Sequence, residues 1–301
     1  MALEKLNNNI INNKNNICKL NVDGKTCLPN VLLENIYQKS DIDNNIPKLG
    51  SLIINKIADD CGCNKKKSIN EQELCIIKNI DNSIINNDTK ECIIYKFFKP
   101  VGSHNGNDWL NNTHVDIIQE QLYNKFDDYN YSFIHMIDNI MITPQNKKCI
   151  NHEIKSIVDI DFINNSNIKW HGIVYNTDPS HKSGQHWFSI LFNFNNQGSE
   201  SDPNFIEYFN SSGFNIQNVE FREFLENLAF RISYETGKKI ILKKITNIQH
   251  QKSSTGNCGI YSLYYIWCRL SGIKIEEFNN PMKKITDKTM EEFRKIMFRQ
   301  E

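Results

Sequence analysis

The chain has 301 residues, 39% of them hydrophobic and 11% aromatic, enough apolar material to bury one large domain or two smaller ones. Its 35 basic and 35 acidic side chains cancel, which excludes a global field drawing it to nucleic acid or an anionic membrane. No apolar run approaches the ~20 residues that span a bilayer, and the opening MALEKLNNNIINNKNN lacks the pattern of a secretory signal, so a soluble, intracellular protein is expected.

The nine cysteines, odd in number and irregularly spaced in a long chain, point to reduced thiols rather than a disulfide framework. Cys61, Cys63 and Cys75, with Cys18 or Cys27, can be drawn as a zinc site, but the C-x-C spacing is wrong and no paired histidines accompany it, so no metal is expected. The lysine groups Lys65 to Lys67 and Lys238, Lys239, Lys243 and Lys244 read as solvated faces.

Residues 7 to 16 are low complexity, and the abundance of Asn, Ile and Lys throughout reflects a compositional bias. Leu32, Leu33, Ile36 and Tyr37 share one face of a helix, and Leu49, Leu52, Ile53 and Ile57 share another. A mainly helical N-terminal region over 1–100 is therefore expected, ending in the polar stretch Asp81 to Lys90 and a short strand or connector over Cys92 to Phe98. A second domain covers 101–301. Its first helix starts at a cap on Asn112 or Thr113 and carries Val115, Ile118 and Leu122. Strands are predicted over Ile168 to Tyr175, over HWFSILFNF, over FIEYF and over KKIILKKI, the second apolar on both faces and hence central. Between the last two, Phe221, Phe224, Leu225, Leu228, Ala229 and Ile232 mark an amphipathic helix ending at Gly237. The segment from Cys258 to Leu270 is apolar nearly all round, a helix for the core, and Met290, Phe293, Ile296 and Met297 face the body from a last helix. The fold class is α+β.

Cys258 stands where a polar loop rises into that buried helix, a position whose unpaired N–H groups and dipole favour a thiolate. A thiolate nucleophile needs an imidazole, a group to orient it and donors for an oxyanion. His186 opens the central strand, Asn210 ends the next one, and Gln251 lies in the loop before Cys258. His171 and His181 compete with His186, but only His186 is followed by Trp and a strand. Cys268, beside Arg269, reads as packing.

The set WLNNTHVD (109 to 116), QHWFSILF (185 to 192), FIEYFNSSG (205 to 213) and QKSSTGNCGIYSL (251 to 263) resembles the adenovirus-endopeptidase and SUMO-protease superfamily of cysteine proteases over residues 100 to 300. With its extra N-terminal region and Asn as third member, it is similar in pattern to the polyprotein-processing proteases of large cytoplasmic DNA viruses. The resemblance implies a mixed sheet with the nucleophile at the start of a buried helix, and Cys-His-Asn catalysis by Cys258, His186 and Asn210. Gln251 would supply the oxyanion donor, with Gln249 as rival because the loop from Gln251 to Cys258 is one residue longer than the family pattern. It further implies that Trp109 and Trp187 wall a slot that admits glycine. The implied substrate is a viral structural polyprotein cut after Gly-Gly or Gly-small sites, in the reducing host cytoplasm and the virion. Removal of ubiquitin-like modifiers is the alternative, and a silent binding module of the same fold is a third reading. No cofactor is expected, and no nucleic-acid or peptide activator is indicated.

Overall fold

The computed structural model describes residues 17–19, 26–39, 50–63, 68–102, 108–150, 152, 154, 167–246 and 248–299. The low-complexity stretch 7–16, Leu49 and Lys65 to Lys67 lie outside them. Four helices come first: α1 (Asn30–Lys39), α2 (Gly50–Asp60), α3 (Ile69–Asn79) and α4 (Asn87–Phe97). A capping box in which Ser68 and Glu71 satisfy each other's backbone N–H groups starts α3. Leu33, Ile36, Ile54, Ile57, Ile76 and Ile77 bury against one another as the centre of an apolar cluster that draws only on residues before 100.

Two expectations for this region are corrected. The strand or connector at Cys92 to Phe98 is helix: the Asn86 side chain accepts from Thr89 N–H at 2.8 Å and starts a helix that runs through the β-formers Ile93, Ile94 and Tyr95. Packing of Ile93 and Tyr95 inward overrides their strand preference. Nor are the cysteines all reduced. Cys18 pairs with Cys27, Cys63 with Cys75 and Cys92 with Cys149, across Cα separations of 5.1, 5.8 and 4.9 Å that suit a disulfide. Only the fold brings these partners within reach, which spacing along the chain does not reveal. Of the cysteines drawn as a zinc site, Cys18, Cys27, Cys63 and Cys75 are thus committed to disulfides, while Cys61 remains a thiol, as do Cys258 and Cys268.

Helix α5 (Asn112–Lys125) opens the second part, capped by Asn111, one residue before the expected position, whose Oδ1 accepts from His114 N–H at 2.9 Å. The sheet has six strands: β1 (Tyr129–Tyr131), β2 (His135–Met136), β3 (Trp170–Asn176), β4 (Trp187–Asn193), β5 (Asn204–Phe209) and β6 (Ile240–Ile245). Their order is β1-β3-β4-β5-β6, with β2 also beside β3. The β3–β4 and β4–β5 pairs are antiparallel and the others parallel, so the sheet is mixed and the class is α+β. Every residue of β3 and β4 is buried, as two covered faces demand.

Helix α6 (Val219–Thr236) covers one face through Phe221, Leu225, Leu228 and Ile232. On the other lies α7 (Cys258–Leu270), buried from Cys258 through Arg269, with α8 (Asp287–Met297) packed beyond it. A buried ion pair sets α7 on the sheet. Arg269 grips Glu207 of β5 through Nε at 2.8 Å and Nη2 at 2.7 Å, and Tyr265 Oη donates to the same carboxylate at 2.6 Å. Such a paired and fully bonded charge fixes the helix along the strand, because any slip strands a buried carboxylate.

The N-terminal helices join this body at the Cys92–Cys149 disulfide, at the Lys148 pairs with Asp88 and Glu91, and at Arg299, whose N–H donates to Pro100 O at 3.0 Å. No helix among the described residues is long and apolar enough to cross a membrane.

Candidate active site

The β3–β4 hairpin delivers His186. Trp187 pairs with Asn176 at the end of the ladder, and Thr177 N–H donates to His186 O at 2.9 Å, so the imidazole stands at the end of the central strand with its backbone held. Its Nε2 lies 2.8 Å from Asn210 Oδ1. An amide oxygen only accepts, so Nε2 carries the hydrogen and Nδ1 is left as the basic nitrogen. Burial holds the His186 pKa below its ordinary value, with the Asn210 bond partly opposing it. Asn210 is fixed in turn: Oδ1 also accepts from Ser212 N–H at 3.0 Å, and Nδ2 donates to Tyr208 Oη at 3.0 Å.

Cys258 is 2% exposed at the first position of α7. Burial pushes its thiol pKa up, opposed by hydrogen bonds from the N–H groups of Trp187, Gly259 and Cys258 itself and by the charge of Arg294. Desolvation therefore outweighs the donors at the helix start, the opposite balance from that expected of the position alone. The bond from Trp187 N–H places Sγ against the residue that follows His186. Close approach here requires Gly259, since a Cβ would stand 3.0 Å from Trp187 Cδ1 and 3.2 Å from Leu110 Cβ.

The loop before Cys258 docks on the turn after β5. Ser211 O accepts from both His250 N–H at 2.9 Å and Gln251 N–H at 3.0 Å. Gly213, at φ 75°, lets the turn pass the loop where a side chain would strike the Ile248 backbone at 2.9 Å. Gln251 is buried; its Oε1 accepts from Ser211 Oγ at 2.8 Å and its Nε2 donates to Thr255 O at 2.6 Å, leaving the second amide hydrogen for another acceptor. Gln249 is exposed.

Sequence reasoning missed the residues behind the loop. Asp287 of α8 accepts from Lys252 N–H, Thr255 Oγ1 and Asn257 Nδ2 at 3.1, 3.0 and 2.9 Å. Asn257 Oδ1 in turn accepts from Arg294 Nε at 3.1 Å and Nη2 at 3.0 Å, and the same Nη2 donates to Asp108 O at 2.8 Å. Burial lowers the Arg294 pKa to about 10, which leaves it a cation at neutral pH, close to Cys258. The only signal available in advance was a charged pair on the inward side of an otherwise amphipathic last helix.

Trp187 is 4% exposed and donates Nε1–H to Leu110 O at 3.2 Å, whereas the neighbouring Trp109 is 54% exposed. His171 is buried with Nε2 2.9 Å from Ser132 Oγ, and burial drops its pKa to about 3; His181 is exposed in the loop. Cys268 is buried in the apolar cluster. Among the described residues no group of three or more His, Cys, Asp or Glu is placed to hold a metal.

A thiol at a helix start, under the N–H of the residue that follows an imidazole tied to a neutral amide, is a set of groups that acyl transfer by a cysteine can use. Over 130 residues the chain is 36% identical to the SUMO-1 cysteine protease of African swine fever virus (isolate Warthog/Namibia/Wart80/1980), covering 42% of this chain and 43% of that protein. The same values hold for the cysteine protease of the Badajoz 1971 Vero-adapted strain. The matched segment thus spans less than half the length of these curated relatives. The fold is that of the crystal structure of the African swine fever virus protease, with TM-score 0.63 and 21% identity over 95% of this chain and 96% of that one. Both findings agree with the SUMO-protease-like pattern of a large DNA virus. No family model matches the chain.

Proposed function

We propose that this chain is a cysteine endopeptidase, with Cys258 as nucleophile, His186 as base and then acid, Asn210 as its orienting partner and Gln251 as oxyanion donor. The observation that carries the reading is the 2.8 Å bond from His186 Nε2 to Asn210 Oδ1, with Cys258 Sγ held under the adjoining Trp187 N–H. His186 Nδ1 takes the proton from Sγ as sulfur attacks the scissile carbonyl carbon. The oxyanion accepts from the Cys258 N–H and the second hydrogen of Gln251 Nε2. Collapse breaks the C–N bond as Nδ1–H protonates the leaving amine, and water, deprotonated by the same nitrogen, hydrolyses the thioester. The burial of Gln251 and the exposure of Gln249 favour Gln251 for this role. Trp109, exposed beside Leu110, and Trp187, fixed behind it, are proposed as walls of the slot that selects glycine.

The proposed substrate is a viral structural polyprotein cut after Gly-Gly or Gly-small sites, in host cytoplasm and virion. A separate apolar cluster before residue 100 supports the division into an N-terminal region over 1–100 and a catalytic domain over 101–301. Cys258→Ala should abolish cleavage of a Gly-Gly peptide, and full activity in that variant would sink the mechanism. Similarity to a SUMO-1 cysteine protease of African swine fever virus favours one second reading, removal of a ubiquitin-like modifier. Turnover of folded modifier conjugates with no cleavage of Gly-Gly peptides would select it.

A further inference from the structure

A cleft of about 400 Å³ opens beside His186. His186 and Asn210 form one wall, the buried Phe188 and Ile216 form its floor with Tyr208, and Phe214 stands 64% exposed at its mouth. The loop carrying Phe214 is tied down, since Tyr208 Oη donates to Phe214 O at 3.3 Å. Neither Cys258 nor Gln251 lines this cleft. It therefore adjoins the imidazole and its amide partner but not the thiol or the proposed oxyanion donor.

That position matters because of what the imidazole does in acyl transfer. The acyl half of a substrate stays bonded to sulfur beside the oxyanion donor, while the amine half departs with a proton received from the histidine. Chain attached to that amine is thus led past the imidazole. We infer that the cleft is a subsite for a large, neutral, apolar side chain, aromatic or branched aliphatic, within the first two residues on the leaving-group side of the scissile bond; this rests on the protease reading. Its volume lies in the range of pockets that enclose a ligand group. No Asp, Glu, Lys or Arg lines it, so a charged side chain would lose its hydration with no counter-ion. The acyl side then selects for smallness and the leaving side for apolar bulk.

The test uses the full chain and quenched peptides with one acyl-side sequence ending in Gly-Gly, varied to Phe, Leu, Ala, Lys or Glu at the first and second leaving-side residues. An aminocoumarin amide of the same acyl sequence, which has no leaving-side residue, accompanies them. Phe or Leu at one of the two positions should raise kcat/KM about tenfold over Ala, as burial of such a side chain predicts, with Lys and Glu below Ala. In Phe214→Ser, a change at an exposed site, the Phe-to-Ala ratio should fall toward one; Ile216→Phe, which fills the cleft from its floor, should lower it too. Equal turnover of all leaving-side residues, or an unchanged ratio in Phe214→Ser, would overturn the inference while aminocoumarin release keeps the protease reading intact. No turnover of any substrate would overturn the protease reading and this inference with it.

Discussion

Ser211 and Gln251 lock each other at both levels of the chain: Ser211 O accepts the Gln251 backbone N–H, and Ser211 Oγ donates to the Gln251 side chain at 2.8 Å. Thr255 O, which can only accept, decides which end of the amide is Nε2, and the Ser211 hydroxyl holds the other end, Oε1. Ser211→Ala should release that orientation and lower kcat several-fold with little change in KM. Gln251→Ala should cost on the order of 10² to 10³ in kcat, and Gln249→Ala nothing. Loss of activity in Gln249→Ala with none in Gln251→Ala would move the oxyanion donor to the exposed residue.

Arg294 reaches the Cys258 position from behind, through Asn257, and its charge opposes the burial that raises the Cys258 thiol pKa. Removing a cation disfavours the thiolate, so Arg294→Met should shift the pH profile of Cys258 alkylation by iodoacetamide to higher pH. Arg294→Lys should recover part of the shift, because it restores charge without the two contacts to Asn257. Alkylation is read at the Cys258 peptide by mass spectrometry, apart from any proteolysis. A profile unmoved by Arg294→Met would reduce the arginine to a brace.

His250 is buried as a neutral ring, with Nδ1 accepting from Ile285 N–H at 3.2 Å and Nε2 3.1 Å from Phe278 O. Burial drops its pKa to about 4, below the ~6.5 of an unfolded histidine. The unfolded chain therefore binds the extra proton first; the contribution is complete above pH ~6.5 and is lost as pH falls toward 4. His250→Gln should shrink the stability difference between pH 7 and pH 5 by about 2 kcal/mol. Urea melts at the two values check it.

The Cys92–Cys149 disulfide closes a sequence separation of 57 between the N-terminal helices and the body that carries the site. Chain entropy assigns such a closure about 4 kcal/mol. Cys92→Ser should lower the unfolding free energy by about that amount. In the protein unfolded without reductant, alkylation should label only Cys61, Cys258 and Cys268, and label at Cys92 or Cys149 would contradict the pairing.

Much of the scaffold was legible in the chain because its periods are local. The fully apolar HWFSILFNF run is the doubly covered β4, and the i, i+3, i+4 pattern at Phe221 to Ile232 is α6. The segment at Cys92 to Phe98 was not, since its β-formers are helical only because Asn86 caps them and the body buries them. The same holds for the disulfides, whose partners lie 9, 12 and 57 positions apart with nothing local to pair them.

By itself, then, the sequence determined the order of the site: an imidazole before a central strand, an amide after the next, and a thiol where a loop meets an apolar helix. Each is tied to the end of an element, and ends of elements are written locally in caps, glycines and changes of period. Only the tertiary structure decided the surroundings and the support of that thiol. Burial raises its pKa, while Arg294 and Asp287, from the last helix, brace the loop and hold a cation near sulfur. Desolvation and long-range charge depend on what surrounds a group in space, and no spacing along the chain encodes them.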